Sequence, residues 1–500
     1  MNISVENKMT SSFSALVIPF TDELILKDET LKLMASSLAS DDCKPVECAL
    51  KTVLENGDLG KSCGSTALLN VFVNGENRRI VLVSLGNEKT SNREIFLGFS
   101  KALKLCKENK SEKTVLLLDN ASEITSKRAA ASKICQLFYL VAYKFEAYKS
   151  SPKESPMKEA VVVTSMDGMQ EIADEAAVLG ESTCLARDLV NHPSMYMTAS
   201  KFAEEAEKMA LPLGIEVKIC SKKEIEELNM GAFLSVARGA VDEPKLIVLR
   251  YKGAASDAAP IALVGKGVMF DSGGYSLKSK MATMHDDMGG AAAVVGAIRS
   301  IAMMKLPVNV IAVVAACKNM VSGDAYVPGD ILFSMNGKTI EMLNSDAEGR
   351  LTLADAITYA VRNENASTII DIATLTGAAK NAVGGRSAAI LANDDNLAQM
   401  VEKAADTSCE KVWRLPCDEE LFPVLKSDIA DIKNSSPGNN YGGGTIVAGL
   451  FIREFVEDKP WCHVDMAPVN WRADGTSFSI KGATGYGAAL LYETVKNMCI

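Results

Sequence analysis

The stretch IALVGKGVMF, from Ile261 to Phe270, is apolar along almost its whole length, and so is VNVIAVVAA, from Val308 to Ala316. Strands that are apolar on both sides are typical of a sheet buried between two layers of helices. The surrounding sequence alternates between strand-like and helix-like patterns, with predicted helices at 288–304 and 351–362. This half of the chain therefore predicts an α/β domain with a central, mixed and largely buried sheet flanked by helices.

The first third of the chain alternates in the same way and predicts a smaller α/β domain. Two of its predicted strands, TALLNVFV at 66–73 and RRIVLVSLG at 78–86, are joined through Asn74-Gly75, a pair that favours a hairpin turn. We expect an N-terminal α/β domain at 1–167, a connecting helix at 168–190 and a larger C-terminal domain at 191–500. The other predicted N-terminal elements are strands at 14–20, 114–119 and 159–165 and helices at 91–108 and 126–148.

Composition narrows the functional classes. The net charge is 53 minus 63, or −10, with no run of five basic residues, so no nucleic-acid partner is expected. No apolar run is long enough to span a membrane, and the first residues lack a signal-peptide pattern. The twelve cysteines include no CxxC pair, which is typical of reduced thiols and predicts a cytoplasmic protein.

The chain has only three histidines, His192, His285 and His463. None lies in a nucleophile motif such as GxSxG, and His463 in WCHVDMAP is predicted to be packed in a strand. A histidine-rich zinc site or a Ser-His-Asp triad is therefore not expected. Acid–base or metal chemistry has to use mainly carboxylates, lysine and arginine.

Charged residues interleaved with glycine follow the predicted strands or begin the predicted helices. Ligand sites of open α/β sheets lie beyond the carboxyl ends of strands, so these residues are expected to meet. Four clustered carboxylates would repel one another, and two divalent cations resolve this. The candidates are Lys266, Asp271, Lys278, Asp287, Asp346, Glu348 and Arg350.

The stretch NSDAEGRLTLADAI, from Asn344 to Ile357, leaves two interpretations open. Asp346 and Glu348 could simply favour the start of a helix, as acids and caps commonly do. In an extended segment, however, residues two apart point to the same face, so both carboxylates could bind a ligand together. Asp286 and Asp287 could likewise only cap the helix that follows.

Several blocks resemble the signature sequences of the leucyl aminopeptidase family, the dinuclear-metal cytosolic aminopeptidases. They are VGKGVMFDSGGYSLK, DDMGGAAAVVGAI and NSDAEGRLTLADA, with LARDLVNHP, ATLTGA and KGATGYG in support. The resemblance covers about 185–490. The chain departs from the family in having Ser345 where threonine is usual and a shorter loop between Lys278 and Asp287.

The resemblance implies a metal-dependent aminopeptidase that hydrolyses N-terminal peptide bonds, prefers leucine and other apolar residues and uses a water activated by two metal ions. It implies two divalent ions per subunit, with zinc usual and manganese, cobalt or magnesium possible, a bound bicarbonate, and a homo-hexamer acting on peptides with a free N-terminus. The implied metal ligands are Lys266, Asp271, Asp287, Asp346 and Glu348, the catalytic residues Lys278 and Arg350, and the substrate-binding residues Met284, Thr374, Leu375, Gly377 and Ala483.

Two other functions remain open at the level of sequence. A two-metal phosphohydrolase could use the same oxygen ligands, with Lys278 and Arg350 binding phosphate. A non-catalytic structural or nucleic-acid-associated hexamer is the second alternative. Release of phosphate instead of an amino acid from model substrates would indicate the phosphohydrolase. Binding of duplex at physiological salt would indicate the nucleic-acid-associated assembly.

Overall fold

A computed structural model describes residues 1–9, 12–28, 30–32, 40–73, 76–254, 258–436, 438, 441–476, 478–479 and 481–499. The chain divides into two compact units. One contains Met1–Cys184 with Asp474–Lys481, and the other contains Leu185–Ala473 with Gly482–Ile500. The domain limits drawn from the sequence at 167 and 190 stay a prediction.

The N-terminal unit is built on a six-stranded sheet. Neighbouring strands are parallel except for Thr66–Val73, which pairs antiparallel with Glu76–Ser84 at one edge. The predicted hairpin strands are therefore paired, while Asn74 and Gly75 lie outside the described residues. In spatial order the strands are Asn2–Glu6, Glu159–Val163, Lys113–Leu117, Ala15–Phe20, Glu76–Ser84 and Thr66–Val73.

The larger unit is built on an eight-stranded mixed sheet. Its central strands Ile261–Asp271 and Asn309–Asn319 run parallel to each other and are almost entirely buried, as their apolar sequences predict. The carboxyl ends of these strands and of Thr368–Ala373 therefore lie at one edge of the sheet. In spatial order the strands are Val412–Arg414, Ala388–Ala392, Trp461–Asp465, Thr368–Ala373, Ile261–Asp271, Asn309–Asn319, Lys245–Lys252 and Glu216–Cys220.

Helices pack against the sheets and complete the α/β architecture expected from the sequence. Three short strands, Asp330–Phe333, Thr339–Met342 and Ile432–Lys433, form a separate small sheet, and Trp471–Arg472 pairs with Gly482–Ala483. In the part of the chain that the structure describes, the α-helices include Ser40–Glu55, Asn92–Glu108, Ser122–Thr125, Arg128–Ala142, Met169–Asn191, Ala199–Ala210, Lys222–Glu227, Gly231–Ala237, Gly289–Met303, Gly349–Arg362, Gly377–Val383, Asp395–Ser408, Gly444–Arg453 and Ala488–Met498.

The long helix predicted at 126–148 is wrong at its carboxyl end, because the helix stops at Ala142. Tyr143 leaves the helical conformation (φ −50°, ψ 140°), and the Lys107 ammonium donates to the carbonyls of Val141 (2.5 Å) and Tyr143 (3.2 Å). A side chain from a distant helix thus satisfies carbonyl groups that the end of a helix leaves without partners. Among the described residues, no helix combines the length and the apolar character needed to cross a membrane.

Candidate metal centre

Lys266 is buried in the middle of its strand and is surrounded by carboxylates. Its Nζ lies 2.7 Å from Asp287 Oδ2 and 2.8 Å from Glu348 Oε1, and it donates to the Thr374 carbonyl at 2.9 Å. The side chain is only 3% exposed, so this is not a lysine that extends to solvent. Lys266 therefore joins the two segments that begin the helices Gly289–Met303 and Gly349–Arg362.

Lys278 joins two further carboxylates, those of Asp271 and Asp346. Its Nζ lies 2.7 Å from Asp271 Oδ2 and forms an ion pair with Asp346. Carboxylate oxygens of Asp271, Asp346 and Glu348 all lie within 4.8 Å of one another. The structure thus brings together in one cluster the five predicted metal ligands and the predicted catalytic lysine.

A bulge in the central strand explains how Lys266 and Asp271 reach the same cluster. Side chains alternate between the faces of a strand, so residues five apart would ordinarily point to opposite faces. In the pairing with the neighbouring strand, Cys317 lies opposite Val268 and the next residue lies opposite Phe270, so Met269 is skipped. The skipped residue resets the alternation, and bulges commonly direct side chains toward active sites in this way.

The helix-capping interpretation of the acids is not supported by the contacts. Glu348 occupies the N-cap position immediately before its helix but makes no capping hydrogen bond through its side chain. Met288 occupies the same position before the other helix. The amide of Asp346 donates to the Asn344 side chain at 2.8 Å. The carboxylates of Asp287, Asp346 and Glu348 instead face lysines.

Burial and mutual repulsion shift the ionisation of this cluster. Burial raises the pKa of Asp287 well above its usual value, although Lys266 opposes the shift. Burial also raises the pKa of Asp346 to about 6, with Lys278 acting in the opposite direction. Burial by itself lowers the pKa of Lys266, but Asp287, Glu348 and Asp271 outweigh it and raise that pKa. A neutral Lys266 therefore requires cations that outweigh these carboxylates.

The residues present fit a pair of divalent cations. With all four carboxyl groups ionised, the two ammonium groups leave the cluster two negative charges in excess, which divalent cations would balance. Glu348 Oε2 is buried and has no hydrogen-bond donor among the described residues, so one ligand oxygen is unsatisfied. Carboxylate-rich ligand sets suit manganese and magnesium, and zinc also accepts Asp and Glu oxygens.

Arg350 is the second residue of the helix Gly349–Arg362, two positions after Glu348, and is 8% exposed. Its Nη1 donates to the Asn434 carbonyl at 2.7 Å, whereas Nε has no acceptor among the described residues. Burial lowers the pKa of Arg350 to about 10, although Glu348 and Asp465 oppose the shift. A buried guanidinium with an unused donor fits a small planar anion.

The predicted substrate-binding residues have varied surroundings. Thr374 contacts the cluster directly, with its hydroxyl donating to Asp287 Oδ1 at 2.8 Å. The Leu375 amide donates to Asp465 at 3.2 Å, and Gly377 begins the helix Gly377–Val383 with open space where a side chain would point. Met284 lies in the short 3₁₀ turn before Asp287, and Ala483 is fully buried.

The three histidines take no part in these ion pairs. His463 is fully buried in its strand, as predicted, with Nδ1 2.5 Å from Asp371 Oδ1. The ring of His285 packs edge-on against Trp471 at 5.1 Å. Burial lowers the pKa of His192 and also that of His285.

Sequence reasoning missed the neutral residues that hold the cluster. Asn319 donates through Nδ2 to Asp271 Oδ1 at 2.8 Å, and Ser345 donates to the Gly273 carbonyl at 2.7 Å and accepts from the Ser276 amide at 2.7 Å. Asn319 is a polar residue at the carboxyl end of an apolar strand, which is the signal that could have identified it.

Comparison with known proteins identifies the family. The catalytic-domain profile of the cytosol aminopeptidase family matches residues 184–492, and the N-terminal-domain profile matches residues 26–152. The chain belongs to the cytosol aminopeptidase family. The resemblance drawn from the sequence blocks is therefore confirmed, and it now includes the N-terminal domain.

Individual relatives agree with this assignment. The chain is 44% identical to a probable cytosol aminopeptidase of Clostridium perfringens over 84% of this chain and 86% of the relative. It is 39% identical to a probable cytosol aminopeptidase of Alkaliphilus oremlandii over 95% of this chain and 99% of the relative. A solved structure of a tomato leucine aminopeptidase mutant superposes with a TM-score of 0.86 at 34% identity, covering 99% of this chain and 96% of that one.

A second solved structure carries a metal. The bottromycin maturation enzyme BotP in complex with Mn superposes with a TM-score of 0.83 at 28% identity, covering 97% of this chain and 100% of that one. The family and these relatives make the chain a metal-dependent aminopeptidase, a hydrolase. They support neither a phosphohydrolase nor a structural or nucleic-acid-associated assembly.

Proposed function

We propose that this enzyme removes single residues from the free N-termini of peptides and prefers leucine and other apolar residues. The observation that carries the proposal is the buried cluster of four carboxylates, Lys266 and Lys278, in which Glu348 Oε2 has no donor among the described residues. The cluster lies at the strand ends where open α/β sheets bind ligands.

Two divalent ions per subunit would be held by the residues of this cluster. We assign the tighter position to Lys266, Asp271, Asp287 and Glu348, and the more exchangeable one to Asp346 with Asp271 and Glu348. Zinc is the first choice, and manganese, cobalt or magnesium could replace it. When bound, such ions polarise a carbonyl oxygen and make a water nucleophilic near neutral pH.

The chain's own side chains orient the peptide. The Asp287 carboxylate offers a negative partner for the substrate's α-amine, which explains a requirement for a free N-terminus. The Lys278 ammonium is only partly buried and is held by Asp271 and Asp346. It would stabilise the charge that develops on the oxygen of the scissile carbonyl. Lys278 is therefore assigned as a catalytic residue.

Proton transfer needs a group other than histidine. We assign it to a bicarbonate bound by Arg350, whose buried Nε has no acceptor among the described residues. The Asn434 carbonyl holds the opposite side of the guanidinium and fixes its plane. Arg350 would hold such a planar anion through its guanidinium, and the anion would supply the base for proton transfer.

The specificity pocket is assigned to Met284, Thr374, Leu375, Gly377 and Ala483. Small or apolar residues predominate, and Gly377 has open space beside it, so an apolar side chain is accommodated. We further propose a cytoplasmic homo-hexamer. Its support is the family membership, together with the absence of disulfides among the described cysteines, which suits a reducing compartment.

The test begins with metal-stripped enzyme and a panel of fluorogenic aminoacyl substrates. We expect manganese, cobalt or zinc to restore activity on leucyl and methionyl substrates, and acetylation of the substrate amine to abolish it. Asp271→Ala should abolish the restored activity, whereas the exposed Asp324→Ala should retain it. Full activity without metal, a preference for acidic residues or release of phosphate from phosphoesters would contradict the proposal. Light scattering tests the hexamer.

A further inference from the structure

Asn319 contacts two of the segments that carry the carboxylates. It is the last residue of the strand Asn309–Asn319 and is completely buried. Its Nδ2 donates to Asp271 Oδ1 at 2.8 Å and to the Ser345 carbonyl at 2.9 Å. Ser345 immediately precedes Asp346, so one amide group holds the segments of both aspartates.

The orientation of the Asn319 amide is determined by its neighbours. Rotating the amide by 180° would place its oxygen against Asp271 Oδ1 and the Ser345 carbonyl, which are both acceptors. In the observed orientation Asn319 Oδ1 has no donor among the described residues. A buried acceptor without a partner is costly, so the contacts of Nδ2 have to outweigh that cost.

The backbone contributes to the same arrangement. The strand bulge at Met269 brings Asn319 opposite Asp271 in the pairing of the two central strands. The Asn319 carbonyl also accepts from the Ser272 amide at 3.0 Å and from the Ser272 hydroxyl at 2.8 Å. Asn319 is thus fixed to residues 271–272 from both its backbone and its side chain.

Two neutral donors determine which way the Asp271 carboxylate faces. Oδ1 accepts from Asn319 and from the Gly273 amide at 2.9 Å, whereas Oδ2 is 2.7 Å from Lys278 Nζ. We propose that Asn319 is a positioning residue that sets the orientation of Asp271 relative to Asp346 and so tunes the affinity of the metal centre. This inference rests on the proposed metal-binding function of Asp271.

The predicted effect can be measured as metal affinity. Partners that orient metal ligands typically change affinity by about 10–100-fold when they are removed. Asn319→Leu keeps the shape of the side chain but removes the donor. We expect Mn²⁺ titrated into the metal-stripped variant to bind roughly 10–100-fold more weakly than to wild type. The melting temperature of the metal-stripped protein should change much less than that of the Mn²⁺-loaded protein.

Asn309 provides a matched control at the other end of the same strand. Its side chain accepts from the Ala254 amide and donates to the Ala258 carbonyl, away from the cluster. Asn309→Leu should leave Mn²⁺ affinity within about threefold of wild type. Wild-type affinity in Asn319→Leu, or an equal loss in Asn309→Leu, would overturn the positioning role.

Asp271→Ala separates failure of this inference from failure of the proposed function. If Asp271→Ala loses Mn²⁺ affinity while Asn319→Leu retains it, only the role of Asn319 is wrong. If both variants bind Mn²⁺ like wild type, the assignment of the metal centre itself is wrong. Weaker Mn²⁺ binding in both Asp271→Ala and Asn319→Leu, with wild-type affinity in Asn309→Leu, supports both proposals.

Discussion

The hydroxyl of Thr374 donates a hydrogen bond of 2.8 Å to Asp287 Oδ1, and the same residue accepts from Lys266 through its carbonyl. A residue expected to contact substrate therefore also orients two proposed metal ligands. Its own position depends on the next two residues, Leu375 and Thr376, whose amides donate to the buried Asp465 carboxylate.

Thr374→Val should weaken metal binding by roughly 10–100-fold, because valine preserves the shape but removes the donor to Asp287. Thr374→Ser keeps the hydroxyl and should bind metal like wild type. The measurement is calorimetric titration of Mn²⁺ into metal-stripped protein. An increase in KM at unchanged metal affinity would instead assign Thr374 to substrate binding alone.

Arg350→Ala should lower kcat by about 10²–10⁴ while both metals stay bound, because the arginine is assigned to proton transfer. Activity of wild type should rise with bicarbonate, and the variant should respond little. Asp346→Ala is the contrasting variant and should lose metal and activity together. Metal analysis combined with kinetics distinguishes the two variants. Loss of metal from Arg350→Ala would refute the assignment of Arg350 to proton transfer.

Gly290→Ala should destabilise the protein by about 3 kcal/mol or more, at the upper end of overpacking effects. A methyl group at this position would lie 2.0 Å from the Ile372 carbonyl oxygen and 2.8 Å from the Lys266 amide nitrogen. Gly323→Ala is the control, since nothing lies within 4 Å of the added carbon there. Equal melting temperatures for the two variants would show that the helix can shift away from the sheet.

Asp355 should make stability depend on pH. Burial raises the pKa of its carboxyl to about 7 from 3.8, although the amides of Met335, Phe233 and Ala232 lower it. Between pH 3.8 and about pH 7 the Asp355 carboxyl is therefore protonated in the folded state and ionised in the unfolded state. The stabilisation that this difference provides is lost as the pH rises through 7. The advantage of wild type over Asp355→Asn in melting temperature should be larger at pH 5.5 than at pH 8.5. An advantage that does not change with pH would contradict the shift.

Strands and charged residues could be predicted because their signals are local. The apolar runs at 261–270 and 308–316 lie within three residues of the observed strands Ile261–Asp271 and Asn309–Asn319. The end of the helix at Ala142 could not be predicted, since it depends on Lys107 from another helix. The contacts of Thr374 with Asp287 and Lys266 could not be predicted either, and Asn319 carried only the weak signal of a polar residue at the end of an apolar strand. A neutral hydroxyl or amide gains its role from what the fold places beside it.

The strand order has a consequence for synthesis on the ribosome. Trp461–Asp465 lies between Thr368–Ala373 and Ala388–Ala392, both of which are made earlier. The strand that separates them in the finished sheet is therefore missing while residues 393–460 are translated, at roughly 5–20 residues per second. Two strand edges face solvent during that interval, which makes the nascent chain a natural client for chaperones. Asp465 then arrives with the last central strand, so the loop that carries Thr374 gains its anchor only near the end of translation.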